Sequence, residues 1–169
     1  RQRQMCIETV HKVYWALTEA TPDPESGELR HYILRDGRTN RSRACDAPKG
    51  DAKEARLRYA TLGAGTNYTL VEVELLTGRH HQIRAQFAAA GHPLLGDGKY
   101  GRGDVNRRYG ETRQALYSYQ LAFPFPTDAG ALNYLRGRVF TVADVPFRDK
   151  YFPAPETPKK IPVKPRRNL

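Results

Sequence analysis

Cysteine is nearly absent from this sequence, with only Cys6 and Cys45, far apart. Two thiols at that spacing form neither a disulfide framework nor a zinc motif, so a reducing, cytoplasmic setting is the expectation. Long apolar runs are missing too. No stretch approaches the roughly 20 residues that cross a bilayer as a helix, and no signal peptide is visible, so no membrane partner is expected. Carboxylates are scarce: 18 Asp and Glu stand against 28 Lys and Arg, a net charge of +10. That surplus favours an anionic partner, and nucleic acid is the commonest one for a small basic domain. Charge alone does not separate RNA from DNA or from an acidic membrane surface. The chain opens Arg1-Gln2-Arg3-Gln4 with its single methionine at Met5, which leads us to expect a further segment upstream.

What is present fits one globular domain. The 169 residues are 39% hydrophobic and 27% charged, enough apolar material to bury a core. The opening residues could end a helix. Val10, Val13, Tyr14, Trp15 and Leu17 predict a strand over 9–17. The turn-rich Thr21–Gly27 stretch should return the chain into a short strand over 31–35, followed by a long polar loop over 36–53. Residues 55–62 and 68–76 alternate apolar and polar side chains and predict two strands joined by a turn at 63–67. A helix is expected over 81–90, where Ile83, Phe87 and Ala90 share a face, and Gly91 and Pro93 stop it. Residues 96–110, with five glycines, read as a loop. Strands are expected over 116–125 and 137–143, and a flexible basic, proline-rich tail over 153–169. The sum is an α+β domain over 1–152 with a largely antiparallel mixed sheet and few helices.

The densest chemistry lies in Leu76-Thr-Gly-Arg-His-His-Gln-Ile-Arg84, followed by Gly91-His-Pro-Leu-Leu-Gly-Asp97 and Tyr100-Gly101. A strand ends at Thr77-Gly78, a sharp turn presents Arg79, His80 and His81, and a helix begins. Polar groups at such a corner lie near a helix N-terminus, which favours anions. A metal role for His80 and His81 is not expected, because neighbouring histidines should point apart and no third ligand has suitable spacing. The glycine-rich 96–103 stretch lacks the Gly-Lys-Ser/Thr ending of a phosphate-binding P-loop. The Arg102-Gly-Asp104 tripeptide is read as chance.

These strings resemble the T-G-R-x-H-Q-[IL]-R, G-H-P-[IL]-x-G-D and Y-G motifs of RNA pseudouridine synthases of the RluA type. Other pieces follow in the same order. His11-Lys-Val-Tyr-Trp-Ala16 resembles the family's K-x-Y-x-A strand, and Lys53-Glu-Ala55 through Tyr59 its K-x-A-x-T-x-Y stretch, with Arg56 and Arg58 at intervening sites. Ala115-Leu-Tyr-Ser118 stands where the family has L-H-A, so Tyr117 replaces the usual histidine. The resemblance spans about residues 8–125. The family's nucleophile, the aspartate of an H-R-L-D motif upstream of the K-x-Y-x-A strand, has no counterpart in these 169 residues.

The resemblance implies roles. Arg84 matches the arginine that pairs with the catalytic aspartate and keeps it charged. Without that aspartate, Arg84 is expected to be an unpaired cation, and a costly one if buried. Tyr14 matches the tyrosine that packs on the flipped uracil, since chemistry on a base requires taking it out of the stack. Leu116 would floor the pocket. Arg79, His80, His81 and Gln82 should hold the turn and touch RNA backbone, and Lys99, Arg102, Arg107, Arg108 and Arg113 could track phosphates. No metal or organic cofactor is implied. Uridine isomerisation in ribosomal RNA, or second in transfer RNA, is the implied activity of a fragment that needs its N-terminal segment. A non-catalytic RNA-binding module is the rival, and a nuclease using His80 or His81 is a third reading.

Overall fold

Apolar residues alternate along most of this chain, and alternation buries one or both faces of a sheet. A computed structural model describes residues 10–153. Its strands are β1 (His11–Glu19), β2 (Ser26–Asp36), β3 (Arg41–Cys45), β4 (Lys53–Gly65), β5 (Tyr68–Leu75), β6 (Leu116–Ala122) and β7 (Val139–Thr141). They form one sheet in the order β3-β2-β4-β5-β1-β6-β7. Every described ladder is antiparallel, so the expected mixed sheet resolves to an antiparallel one here. The helices are α1 (Gln82–Ala89), α2 (Gly103–Tyr109) and α3 (Pro146–Tyr151), with a 3-10 turn at Gly130–Leu135. The expected tail lies almost wholly outside the described residues, as does the opening stretch.

Alternation along β1 sorts its side chains onto two cores. Ala16 joins Leu57, Val71, Val73, Ile83, Phe87 and Leu94 on the face that α1 covers. Leu17 joins Leu70, Leu95 and Ala115 on the other, where Val105 and Tyr109 of α2 and Phe147 and Tyr151 of α3 pack. The Gly-His-Pro-Leu-Leu-Gly-Asp segment rounds the end of β1. Glu19 donates its N–H to the Pro93 carbonyl and Leu95 to that of Leu17, which places Leu94 in one core and Leu95 in the other.

Two expected loops hold regular structure. Residues 36–53 contain β3, whose Arg-Ser-Arg composition carries no apolar alternation. It forms because β2 supplies a full antiparallel ladder and because the Asp36 carboxylate nucleates the turn, accepting N–H bonds from Arg38 (2.9 Å) and Thr39 (3.3 Å). Residues 96–110 contain α2. Its Val105 and Tyr109, four apart, reach the second core, while buried Asn106 accepts the Gly96 N–H at 2.7 Å. The strand expected over 137–143 shortens to three residues at the sheet edge.

Candidate RNA-facing site

The turn between β5 and α1 is fastened by Gln82, which is 3% exposed. Its Oε1 accepts from Thr77 Oγ1 (2.8 Å) and the Arg79 N–H (2.9 Å), and its Nε2 donates to the Arg56 carbonyl (2.9 Å). A buried amide satisfied three ways holds a turn, the first half of the role expected for it. Arg79 is exposed, and its Nε donates to the Glu54 carbonyl at 2.8 Å.

His81 has φ 52° and ψ 26°, a left-handed conformation uncommon for a residue with a Cβ. That twist overturns the expectation that the adjacent histidines point apart: the two rings stack with centroids 3.8 Å apart and planes 30° off parallel. Ser42 Oγ donates to the His80 carbonyl at 2.8 Å, which uses its only proton. The 2.9 Å contact of that oxygen with His80 Nδ1 is therefore an Nδ1–H donation, leaving Nε2 of the neutral ring as an acceptor. His81 Nδ1 lies 2.9 Å from the Tyr100 hydroxyl, which also accepts the Ser42 N–H at 2.6 Å.

Burial, followed by the charges of Arg35, Lys99 and Arg84, lowers the pKa of His80. Burial, followed by the charges of Arg84, His80 and Lys99, lowers that of His81 to about 4. Both imidazoles are neutral at neutral pH. A neutral imidazole can accept a proton but has none to spare as a general acid. Among the described residues, no group of three or more His, Cys, Asp or Glu side chains could hold a metal ion. No described helix is long and apolar enough to cross a membrane.

Arg84 is not the unpaired cation expected from the sequence. Its Nε and Nη2 donate to the two carboxylate oxygens of Asp97, each at 2.8 Å, in a two-point fork. Asp97 is fully buried and Arg84 nearly so. Asp97 Oδ1 also accepts the N–H groups of Lys99 (2.9 Å) and Tyr100 (3.0 Å). Burial alone would raise the pKa of this carboxyl, but the Arg84 bonds and the two backbone donors outweigh it, and the net direction is down. The pair raises the pKa of Arg84 in turn. The guanidinium lies 5.1 Å over the Tyr100 ring. Two of its five N–H groups serve Asp97, which leaves three for another acceptor.

The remaining expected residues fall into two groups. Lys99 Nζ donates to the Asn40 carbonyl at 2.8 Å, tying this loop to the β2–β3 hairpin. Arg102 is exposed, and its Nε bonds the buried Glu19 carboxylate at 2.5 Å. Arg107, Arg108 and Arg113 are exposed. Tyr14 on β1 and Leu116 on β6 both pack against the core that holds Ile83 and Phe87 of α1. The fold thus joins Tyr14 and Leu116 to the helix that carries Arg84.

Sequence reasoning missed Asp97 as the partner of Arg84, although the motif containing it was in view. A lone carboxylate within an apolar Pro-Leu-Leu-Gly run was the available signal. It also missed Ser42, which carried no signal because its partners His80 and Tyr100 lie 38 and 58 residues away. Lys12 shares the face of Tyr14 by strand alternation and is partly buried, and burial lowers its pKa. Its ammonium has no hydrogen bond or ion pair among the described residues.

Residues 2–89 match the family described as RNA pseudouridylate synthase. An uncharacterized RNA pseudouridine synthase of Mycobacterium bovis is 38% identical over 128 residues, covering 75% of this chain and 41% of that protein. A ribosomal large subunit pseudouridine synthase D of Nitrosomonas europaea is 35% identical over 116 residues, covering 57% of this chain and 34% of that one. The solved structure of human RNA pseudouridylate synthase domain containing 1 superposes with a TM-score of 0.62 at 26% identity, over 81% of this chain and 56% of that one. The chain spans about two-fifths of the Mycobacterium relative. With more than half of its residues inside the family match and a fold that superposes on a solved member, this chain belongs to the RNA pseudouridylate synthase family, of the RluA type.

Proposed function

We propose that this chain forms part of an RNA pseudouridine synthase that acts on ribosomal RNA, with the nucleophilic aspartate coming from a segment outside these 169 residues. The observation that carries the reading is the packing of Tyr14 and Leu116 against the core that seats the helix of Arg84. In this reading a uridine is flipped out of its stack, and its ring lies on Tyr14 over Leu116. The aspartate attacks C1′ and the bond from C1′ to N1 breaks. The uracil rotates, C5 bonds to C1′ as the bond to the aspartate breaks, the C5 proton leaves to solvent, and N1, which carries no proton in uridine, gains one. Arg84, held on one edge by Asp97, offers its other N–H groups to the attacking carboxylate and keeps it ionised. Asp97 itself is a positioning residue, because its oxygens are buried and already accept four hydrogen bonds, two of them from Arg84. Ribosomal RNA is preferred to transfer RNA because a relative 35% identical is named for the large ribosomal subunit.

The second reading, an RNA-binding module without chemistry, is favoured by that same burial: among the described residues the one carboxylate bonded to Arg84 is shut off from solvent. Tritium release from RNA labelled at uridine C5 separates the two. The expected result is release by the chain with an upstream H-R-L-D segment restored and none by the 169 residues alone. Release by neither, with RNA binding retained, would establish the binding module instead.

A further inference from the structure

We infer that the β2–β3 hairpin and the outer side of α1 form a second RNA subsite, which takes a nucleotide of the same strand away from the Tyr14 pocket. The inference rests on the reading of the protein as an RNA binder. An open groove of about 810 Å³ lies there, lined by half-buried Leu34, Ala44 and Ala88 and by exposed Arg35, Arg41 and Arg43. None of these three arginines forms an ion pair among the described residues. By contrast, Arg30, Arg56, Arg58, Arg84 and Arg102 all do. The single carboxylate in the groove, Asp36, is occupied by Thr39 and the N–H of Arg38 in closing the turn, so three arginines face one committed acid.

The chemistry of the lining fits a nucleotide. Alanine and leucine side chains beside the Tyr100 ring offer a flat apolar surface for ribose and base, and unpaired guanidinium groups suit phosphates. The hairpin is also fixed relative to the site. Ser42 bonds His80, and its N–H bonds Tyr100, while Lys99 bonds the carbonyl of Asn40. An RNA strand seated in the groove is therefore held in register with the turn that precedes Arg84. The arrangement also explains why β3 is built of arginines: an edge strand with charged side chains resists pairing with another sheet and leaves its charges free for a ligand.

Fluorescence anisotropy with a labelled RNA stem–loop, titrated with salt, tests this on the full chain. Replacing Arg35, Arg41 and Arg43 together by Gln should lower the magnitude of the salt slope by about 2 and weaken binding of order 100-fold at about 0.1 M salt, since each single-strand phosphate contact contributes about 0.7. The corresponding triple Lys variant should restore most of the slope. Arg30→Gln with Arg58→Gln, which removes the same kind of charge from arginines already paired, should leave it nearly unchanged. All three groove arginines are exposed, so folding is retained, and circular dichroism verifies this. Equal slopes for the groove variant and the paired-arginine control overturn the inference alone and assign the groove to another occupant, such as an acidic protein. No binding by the unaltered chain overturns the RNA reading itself.

Discussion

On the face covered by α1, buried polar side chains fasten the helix, whereas on the opposite face Glu19 and Asn106 bond the loop around α2 and Tyr68 sits edge-on among the rings of Tyr109, Tyr151 and Phe152. Gln82 pins the turn before α1, and Gln86 ties the helix to the Leu29 and Ala55 carbonyls of β2 and β4. Asp97 locks Arg84 from the far side. Hydrogen bonds are directional, so this face fixes the angle and rotation of the helix that carries the site. Aromatic packing on the other face fills volume and excludes water with weaker directional demands.

The sharpest way to break this comparison is Asp97→Ala. It strands a nearly buried guanidinium and removes the acceptor of two backbone N–H groups, so a loss of about 3–5 kcal/mol is expected in urea unfolding. On the aromatic face, Tyr151→Phe removes a 2.6 Å bond to Glu111 but keeps the ring, and the expected loss is about 1–2 kcal/mol. Equal losses for the two would erase the distinction between the faces.

The smallest effect concerns pH. His81 has a folded pKa of about 4, below the unfolded value near 6.5, so the unfolded chain takes up its proton first as pH falls. Its contribution to stability is present in full above the unfolded pKa and is lost as pH falls towards 4. His81→Asn keeps a residue that tolerates positive φ and removes the titration. The drop in unfolding free energy between about pH 7 and 5 should shrink by on the order of 1 kcal/mol in that variant. The carboxyl of Asp97 has its pKa lowered below its usual value, so its contribution is lost only at still lower pH. An unchanged drop in His81→Asn would show that the ring titrates normally.

Much of this was legible in advance, for reasons that particular residues make plain. β4 and β5 were visible because their apolar residues alternate with polar ones along each strand. α1 was visible because Ile83 and Phe87 recur at helical spacing and Gly91, with φ 87°, ends it. β3 was not, since Arg41-Ser42-Arg43 has no apolar pattern and owes its strand to β2. α2 was hidden by the glycines around it, because its two core contacts are too few to make a period. In the site, Tyr14, Leu116 and Arg84 could be named from ordered motifs. The stacking of His80 on His81 depended on a backbone twist that no spacing reveals.

By itself the sequence determined the family, the sheet-rich architecture and the basic character of the surface, because these follow from motif order, alternation and charge count along the chain. Only the tertiary structure decided how the charges are spent. Arg84 goes to Asp97, Arg102 goes to Glu19, and Arg35, Arg41 and Arg43 form no ion pair among the described residues. An ion pair forms where the fold brings two groups within a few ångströms, and residues 13 or 83 positions apart meet only once the sheet, the helix and the connecting loop are in place.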